Sequence, residues 1–169
     1  MKHIRTFIII VLLSLNSIQA QSKQNQLPIK LYNPASDAKV EIANAITKAK
    51  KEGKHVFLQI GGNWCAWCLT FDKKVKSNDT LRKALEKNYI VYHLNFSREN
   101  KNLDVLASLG YPQRFGFPVF VILDGEGNRL HTQNSTNLEE GKGHSTQKTL
   151  TFFNNWSQSA IDPKKNSNW

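Results

Sequence analysis

A chain of 169 residues with 40% hydrophobic residues, a formal net charge of +10 and two cysteines has the apolar content for one core and too few thiols for a disulfide-stapled scaffold. Its 23 Lys and Arg come in scattered twos and threes, such as Lys48, Lys50 and Lys51, or Lys73, Lys74 and Lys76. That is the pattern of a solvated surface; a nucleic-acid partner, which needs one basic block with interleaved aromatics, is not expected.

Residues 1–20 carry Lys2 and Arg5, an apolar run from Ile4 to Leu15 and a small ending at Ile18-Gln19-Ala20. They read as a cleavable export signal whose apolar part is too short to span a membrane comfortably. No cysteine stands at the cleavage point to take a lipid. A soluble periplasmic or otherwise exported protein follows, with about 150 residues in one domain. Residues 21–35, with Pro28 and Pro34, are an extended lead-in, and 36–160 are the folded domain.

The domain starts with a helix capped at Ser36 or Asp37, with Val40, Ala43, Ile46 and Ala49 on its inner face and Gly53 at its end. A buried strand, His55 to Ile60, leads through Gly61-Gly62 into a second helix that stops near Ser77-Asn78. A short helix over Asp79–Lys87 precedes a strand, Tyr89 to Phe96, with Ile90, Tyr92, Leu94 and Phe96 on one face. A helix from Asn102 to Leu109 stops at Gly110. Phe117 to Leu123 is strongly β, and the turn Asp124 to Asn128 returns the chain as a hairpin into Arg129–Thr132. A polar loop, 133–143, leads to a closing helix, Thr146 to Ala160, with Leu150, Phe153 and Trp156 inward; 161–169 is a loose tail. This order predicts an α/β fold with a central mixed sheet flanked by helices.

Both cysteines lie in Trp64-Cys65-Ala66-Trp67-Cys68. Strand, glycine turn and helix put Cys65 at a helix N-terminus, where free N–H groups and the helix dipole favour a thiolate; Cys68 lies one turn on. Cys65 is then the candidate nucleophile and Cys68 the thiol that resolves a mixed disulfide. Zinc is the alternative, but His3, His55, His93, His131 and His144 form no close His pair and there is no second cysteine pair, so no metal is expected. As a staple, a loop of about four residues would contribute only about 2 kcal/mol, against nearly 5 for about 100 residues.

The glycine turn with Trp64-Cys65-x-x-Cys68, followed some fifty residues on by Phe117-Pro118 and a hairpin, resembles the thioredoxin superfamily over nearly the whole domain. Phe71-Asp72, Ser77-Asn78-Asp79 and the Leu138–Gly143 loop resemble exported bacterial thioredoxin-like proteins and the C-terminal domain of the membrane electron transporter DsbD. The resemblance implies a thioredoxin-like fold and a thiol–disulfide oxidoreductase. It implies a reductase acting on disulfides of exported proteins, without a cofactor, as a monomer supplied by a DsbD-type membrane donor. It also implies that Pro118 is a cis-proline facing the cysteines, with Trp64, Trp67, Phe117 and Pro118 as the substrate-binding set. A trans proline at a strand start is the alternative. Gln59 stands where thioredoxins carry a buried Asp, and Asp72, one turn beyond Cys68, is the nearest carboxylate to replace it; alternatively Asp72 is an exposed first-turn acid. The pair Ala66-Trp67 matches none of the well-known dipeptides. An oxidase or isomerase with the same residues, or a non-catalytic peptide-binding module, are the other functions such a chain could have.

Overall fold

The computed structural model describes residues 30–167; the expected export signal and residues 21–29 of the lead-in lie outside them. The elements in chain order are α1 (Ala38–Glu52), β1 (His55–Gly61), α2 (Ala66–Ser77), α3 (Asp79–Asn88), β2 (Tyr89–Asn95), α4 (Leu103–Ser108), β3 (Val119–Leu123), β4 (Arg129–Asn134), β5 (Glu139–Glu140), β6 (Gly143–His144), α5 (Thr146–Asn155) and α6 (Pro163–Asn166). The main sheet runs β2-β1-β3-β4, with β1 parallel to β2 and antiparallel to β3, and β3 antiparallel to β4.

The continuous apolar run of β1 has its reason in this order: the strand is central and all seven of its residues are buried. Alternation sends Val56, Leu58 and Ile60 into a core shared with Ala45 and Ala49 of α1 and Leu106 of α4. Phe57 goes to the opposite core with Phe71 and Val75 of α2, Leu81 of α3 and Phe152 and Phe153 of α5. Helices therefore cover both faces of the sheet, and β1 ends at the glycine pair between the two cores.

Helix α1 turns a different face inward from the one its spacing suggests. Asp37 caps it as expected, but Val40 is 52% exposed and Ala43 is also exposed, while Ala38, Ile42, Ala45, Ile46 and Ala49 face the core. A strict three-residue spacing drifts by about 60° per step on a helix of 3.6 residues per turn, so Val40 and Ala49 lie on opposite sides.

Helix α5 ends at Asn155, five residues earlier than expected. The Trp156 ring stacks on His131 at 4.2 Å and its carbonyl accepts a hydrogen bond from His55 Nδ1 at 2.8 Å, which ties residue 156 to the sheet and takes it out of the helix. Within 161–169, Asp162 caps a single helical turn, Pro163–Asn166. The expected polar loop 133–143 is more ordered than its composition suggests. Strand β4 runs on to Asn134, Ser135–Leu138 forms a 3-10 turn, and β5 pairs with β6. Leu138 anchors the segment by entering the core of α2 and α5.

Phe57 meets Tyr89, Phe120, Phe152 and Phe153 with ring centroids 5.3–5.9 Å apart. Phe57→Ala is expected to lower the unfolding free energy by about 3–5 kcal/mol in denaturant titration. Val40→Ala should change it by less than about 0.5 kcal/mol; a larger loss there would restore Val40 to the inner face of α1.

Candidate active site

The site is built where β1 stops. A methyl group at Gly61 would lie 2.4 Å from Cys68 Sγ and 3.0 Å from the Tyr32 hydroxyl oxygen; one at Gly62 would lie 2.4 Å from Trp64 Nε1 and 2.7 Å from the Phe96 carbonyl. No side chain fits at either position. The bare backbone lets the first turn of α2 sit directly against the end of the strand.

Cys65 is the N-cap of α2, in an extended conformation, and forms a disulfide with Cys68. Its sulfur accepts a hydrogen bond from the Cys68 N–H at 3.1 Å. The first-turn N–H that would stabilise a Cys65 thiolate is thus already aimed at the sulfur. Cys65 is 5% exposed and Cys68 fully buried, so an approaching reagent meets Cys65 first.

Aromatic rings surround the opening. Trp64 is 58% exposed yet tethered, its Nε1 donating to the Phe96 carbonyl at 2.7 Å. Its ring stands edge-on to Phe117 at 5.5 Å, and Phe117 stacks on Phe96 at 4.8 Å. Phe117 packs against the cysteine cluster, and the Phe117–Pro118 peptide is cis. Trp67 is 37% exposed on the other flank. The sequence-predicted residues Trp64, Cys65, Trp67, Cys68 and Phe117 are thus brought together, with Pro118 joined to Phe117.

Asp72 lies a turn farther along α2, paired with Lys76 Nζ at 2.8 Å and near His93 Nε2 at 3.6 Å. Burial pushes its carboxyl up, but hydrogen bonds and charge from His93 and Lys76 outweigh this and hold it below the usual range. It is a partly buried, paired carboxylate rather than an exposed first-turn acid.

The contacts that three buried residues of the site make were not legible in the sequence. Gln59 is buried as a proton-handling Asp would be, and its Nε2 donates to the Tyr32 hydroxyl at 2.8 Å and to the Cys68 carbonyl at 3.0 Å; the sequence showed what it could not do, and nothing of what it holds. Tyr32, in the lead-in, is fully buried against both cysteines. Asn63 fixes it there: Asn63 Oδ1 accepts from the Tyr32 N–H at 3.1 Å and Asn63 Nδ2 donates to the Tyr32 carbonyl at 2.7 Å. The one available signal was the Leu31-Tyr32 pair within a polar stretch. His144 of β6 is the third. Its ring, 3% exposed, stands edge-on to Trp67 at 5.6 Å and Phe71 at 5.0 Å, and neither ring nitrogen has a hydrogen-bond partner among the described residues.

Residues 37–125 match the model of a thioredoxin-like family. Among solved structures, a disulphide isomerase from Xylella fastidiosa Temecula1 is 25% identical with a TM-score of 0.65, over 73% of this chain and 93% of that one. A DsbH oxidoreductase is 24% identical with a TM-score of 0.47, over 60% and 72%. The DsbD C-terminal domain of Neisseria meningitidis, in the oxidised form, is 17% identical with a TM-score of 0.47, over 70% and 95%. No curated protein matches the chain.

Burial pushes the His144 pKa down, Glu139 opposes this and Lys74 adds to it. An unfolded His titrates near about 6.5, so as pH falls the unfolded chain takes up this proton before the folded one does. The His144 contribution to stability is therefore complete above about pH 6.5 and is lost below it. In thermal melts, His144→Leu is expected to gain on the wild type as pH falls from about 7 to about 5; a difference independent of pH would show that His144 titrates normally.

Proposed function

Because the chain belongs to the thioredoxin-like family, we propose that it is a thiol–disulfide oxidoreductase that reduces disulfides of exported proteins. The observation that carries this reading is the Cys65–Cys68 disulfide at the start of α2, with an N–H directed at the Cys65 sulfur. In the reducing direction the Cys65 thiolate attacks a substrate disulfide, one substrate sulfur leaves as thiolate, and Cys68 attacks Cys65 to release the other. Two electrons pass to the substrate and the disulfide seen here is the product.

Trp64, Trp67, Phe117 and Pro118 form the proposed substrate-binding surface. Asp72 is the proposed proton acceptor for Cys68. Its low pKa keeps it anionic at neutral pH, so it would hold the proton only in passing. Export as a monomer, and reduction by a membrane electron donor of the DsbD type, complete the proposal. They rest on residues 1–20 and on the need of a reductant for electrons in an oxidising compartment. No helix among the described residues is long and apolar enough to cross a membrane.

The isomerase reading has one observation in its favour, the similarity of the chain to the Xylella fastidiosa disulphide isomerase. The two readings divide on potential. Ala66 and Trp67 bring no charge or side-chain donor to Cys65, and Trp67 adds apolar bulk that disfavours an anion, so the Cys65 pKa should fall only modestly. Equilibration with glutathione is expected to give a midpoint nearer the thioredoxin value of about −270 mV than the about −120 mV of strongly oxidising relatives. A midpoint above about −180 mV would favour the isomerase or oxidase.

Two sets of variants test the roles. Cys68→Ser should accumulate mixed disulfides with exported proteins and Cys65→Ser should trap none; equal adducts from both would reverse the nucleophile. Asp72→Asn should slow insulin reduction by up to about a hundredfold and change its pH profile, and an unchanged profile would remove Asp72 from the chemistry.

A further inference from the structure

Tyr32 and Cys68 face each other across the bare Cα of Gly61, from which a methyl group would touch both. Gln59 Nε2 donates to the Tyr32 oxygen, so that bond uses the oxygen as an acceptor and leaves the phenolic hydrogen uncommitted. No acceptor for this hydrogen is found among the described residues. Asn63 holds the Tyr32 backbone on both its N–H and its carbonyl, and Gln59 holds the Cys68 carbonyl as well as the hydroxyl. Gln59 thus ties the phenol to the Cys68 backbone, and Asn63 fixes the backbone of Tyr32 itself.

We propose that the Tyr32 hydroxyl is a catalytic hydrogen-bond donor to the Cys68 thiolate, the anion that resolves the mixed disulfide. The inference rests on the oxidoreductase reading above. When the disulfide is reduced, Cys68 is a fully buried thiol, and its ionisation needs both an acceptor for the proton and a donor for the anion left behind. Gln59 can accept no proton, but by donating to Tyr32 it turns the phenol into the donor. The Cys68 proton passes to a carboxylate, the thiolate attacks Cys65 Sγ, the Cys65–substrate bond breaks, and the departing substrate thiolate takes up a proton. The Tyr32 O–H bond stays intact throughout.

The titratable groups near this pair are His93 of β2, whose ring lies edge-on to Tyr32 at 5.6 Å, and Asp72 of α2, which in turn pairs with His93 and Lys76. Burial chiefly, and the Asp72 charge, raise the Tyr32 pKa, while the Gln59 bond lowers it; the net effect is upward. The phenol remains protonated at any physiological pH and is always available as a donor.

The test isolates the resolving step. Reduced protein is mixed with 5,5′-dithiobis(2-nitrobenzoate). Attack by Cys65 releases one thionitrobenzoate, and attack by Cys68 on the resulting mixed disulfide releases the second. Tyr32→Phe keeps the ring and removes the donor. It is expected to slow the second release about tenfold at neutral pH, the loss of one hydrogen bond to a charged group, and to move its pH midpoint upward. The first release should be unchanged. Should Tyr32→Phe not fold, 3-fluorotyrosine at position 32, a stronger donor of nearly the same shape, is expected to move the midpoint downward. A midpoint unmoved in folded Tyr32→Phe, or in the fluorotyrosine protein, overturns the role of Tyr32 while leaving the oxidoreductase reading intact. A wild type that releases no second thionitrobenzoate overturns both.

Discussion

The close approach of α2 to the end of β1 is the constraint on which the site depends. A helix N-terminus can lie against a strand end only where the intervening backbone carries no side chains, and Gly61 and Gly62 meet that condition on opposite sides. Gly61 admits Cys68 and Tyr32, and Gly62 admits the Trp64 indole and the Phe96 carbonyl. One pair of residues therefore places both the Cys68 sulfur and the Trp64 ring beside Cys65. The rest of the fold keeps that junction in position, with β1 central in the sheet and covered by helices on both faces.

Around this junction lie polar groups that a core of this size would not need for stability. Gln59, Tyr32 and Asn63 form a connected network, open only at the Tyr32 hydroxyl hydrogen, whose net contribution is modest because each bond replaces one to water. What such a network supplies is definition, since a buried amide or phenol left unpaired costs about 1–3 kcal/mol and alternative arrangements are disfavoured by that amount. His144 is the exception. Both its nitrogens lack partners among the described residues, so its side chain is held against Trp67 and Phe71 by packing.

The parts of the structure that depend on neighbours in sequence could be read before folding was considered. The cysteine pair, the glycine turn, the apolar runs of β1 and β3 and the hairpin after Leu123 are all local signals. The errors come from contacts between distant residues. Helix α5 stops early because His131 and His55 hold Trp156, and no property of residues 156–160 announces that. Tyr32 is bonded to residues 27 and 31 positions away and lies in a stretch whose composition is that of a spacer. Asp72 was found by its helical offset from Cys68, but its pairing with His93 on β2 was not visible, because it needs the register of the sheet. The face of α1 is a different kind of error, an arithmetical drift between a spacing of three and a period of 3.6.

The tether on Trp64 also bears on the thermodynamics of recognition. A large exposed ring ordinarily samples several rotamers and loses that freedom when another molecule is pressed against it, at about 0.5–1.5 kcal/mol for each immobilised side chain. The Trp64 indole, bonded to the Phe96 carbonyl and butted against Phe117, has surrendered that entropy during folding. The wall beside Cys65 is set before any encounter, so a chain bound there as proposed would meet a fixed contour and gain its contact area at little further entropic cost.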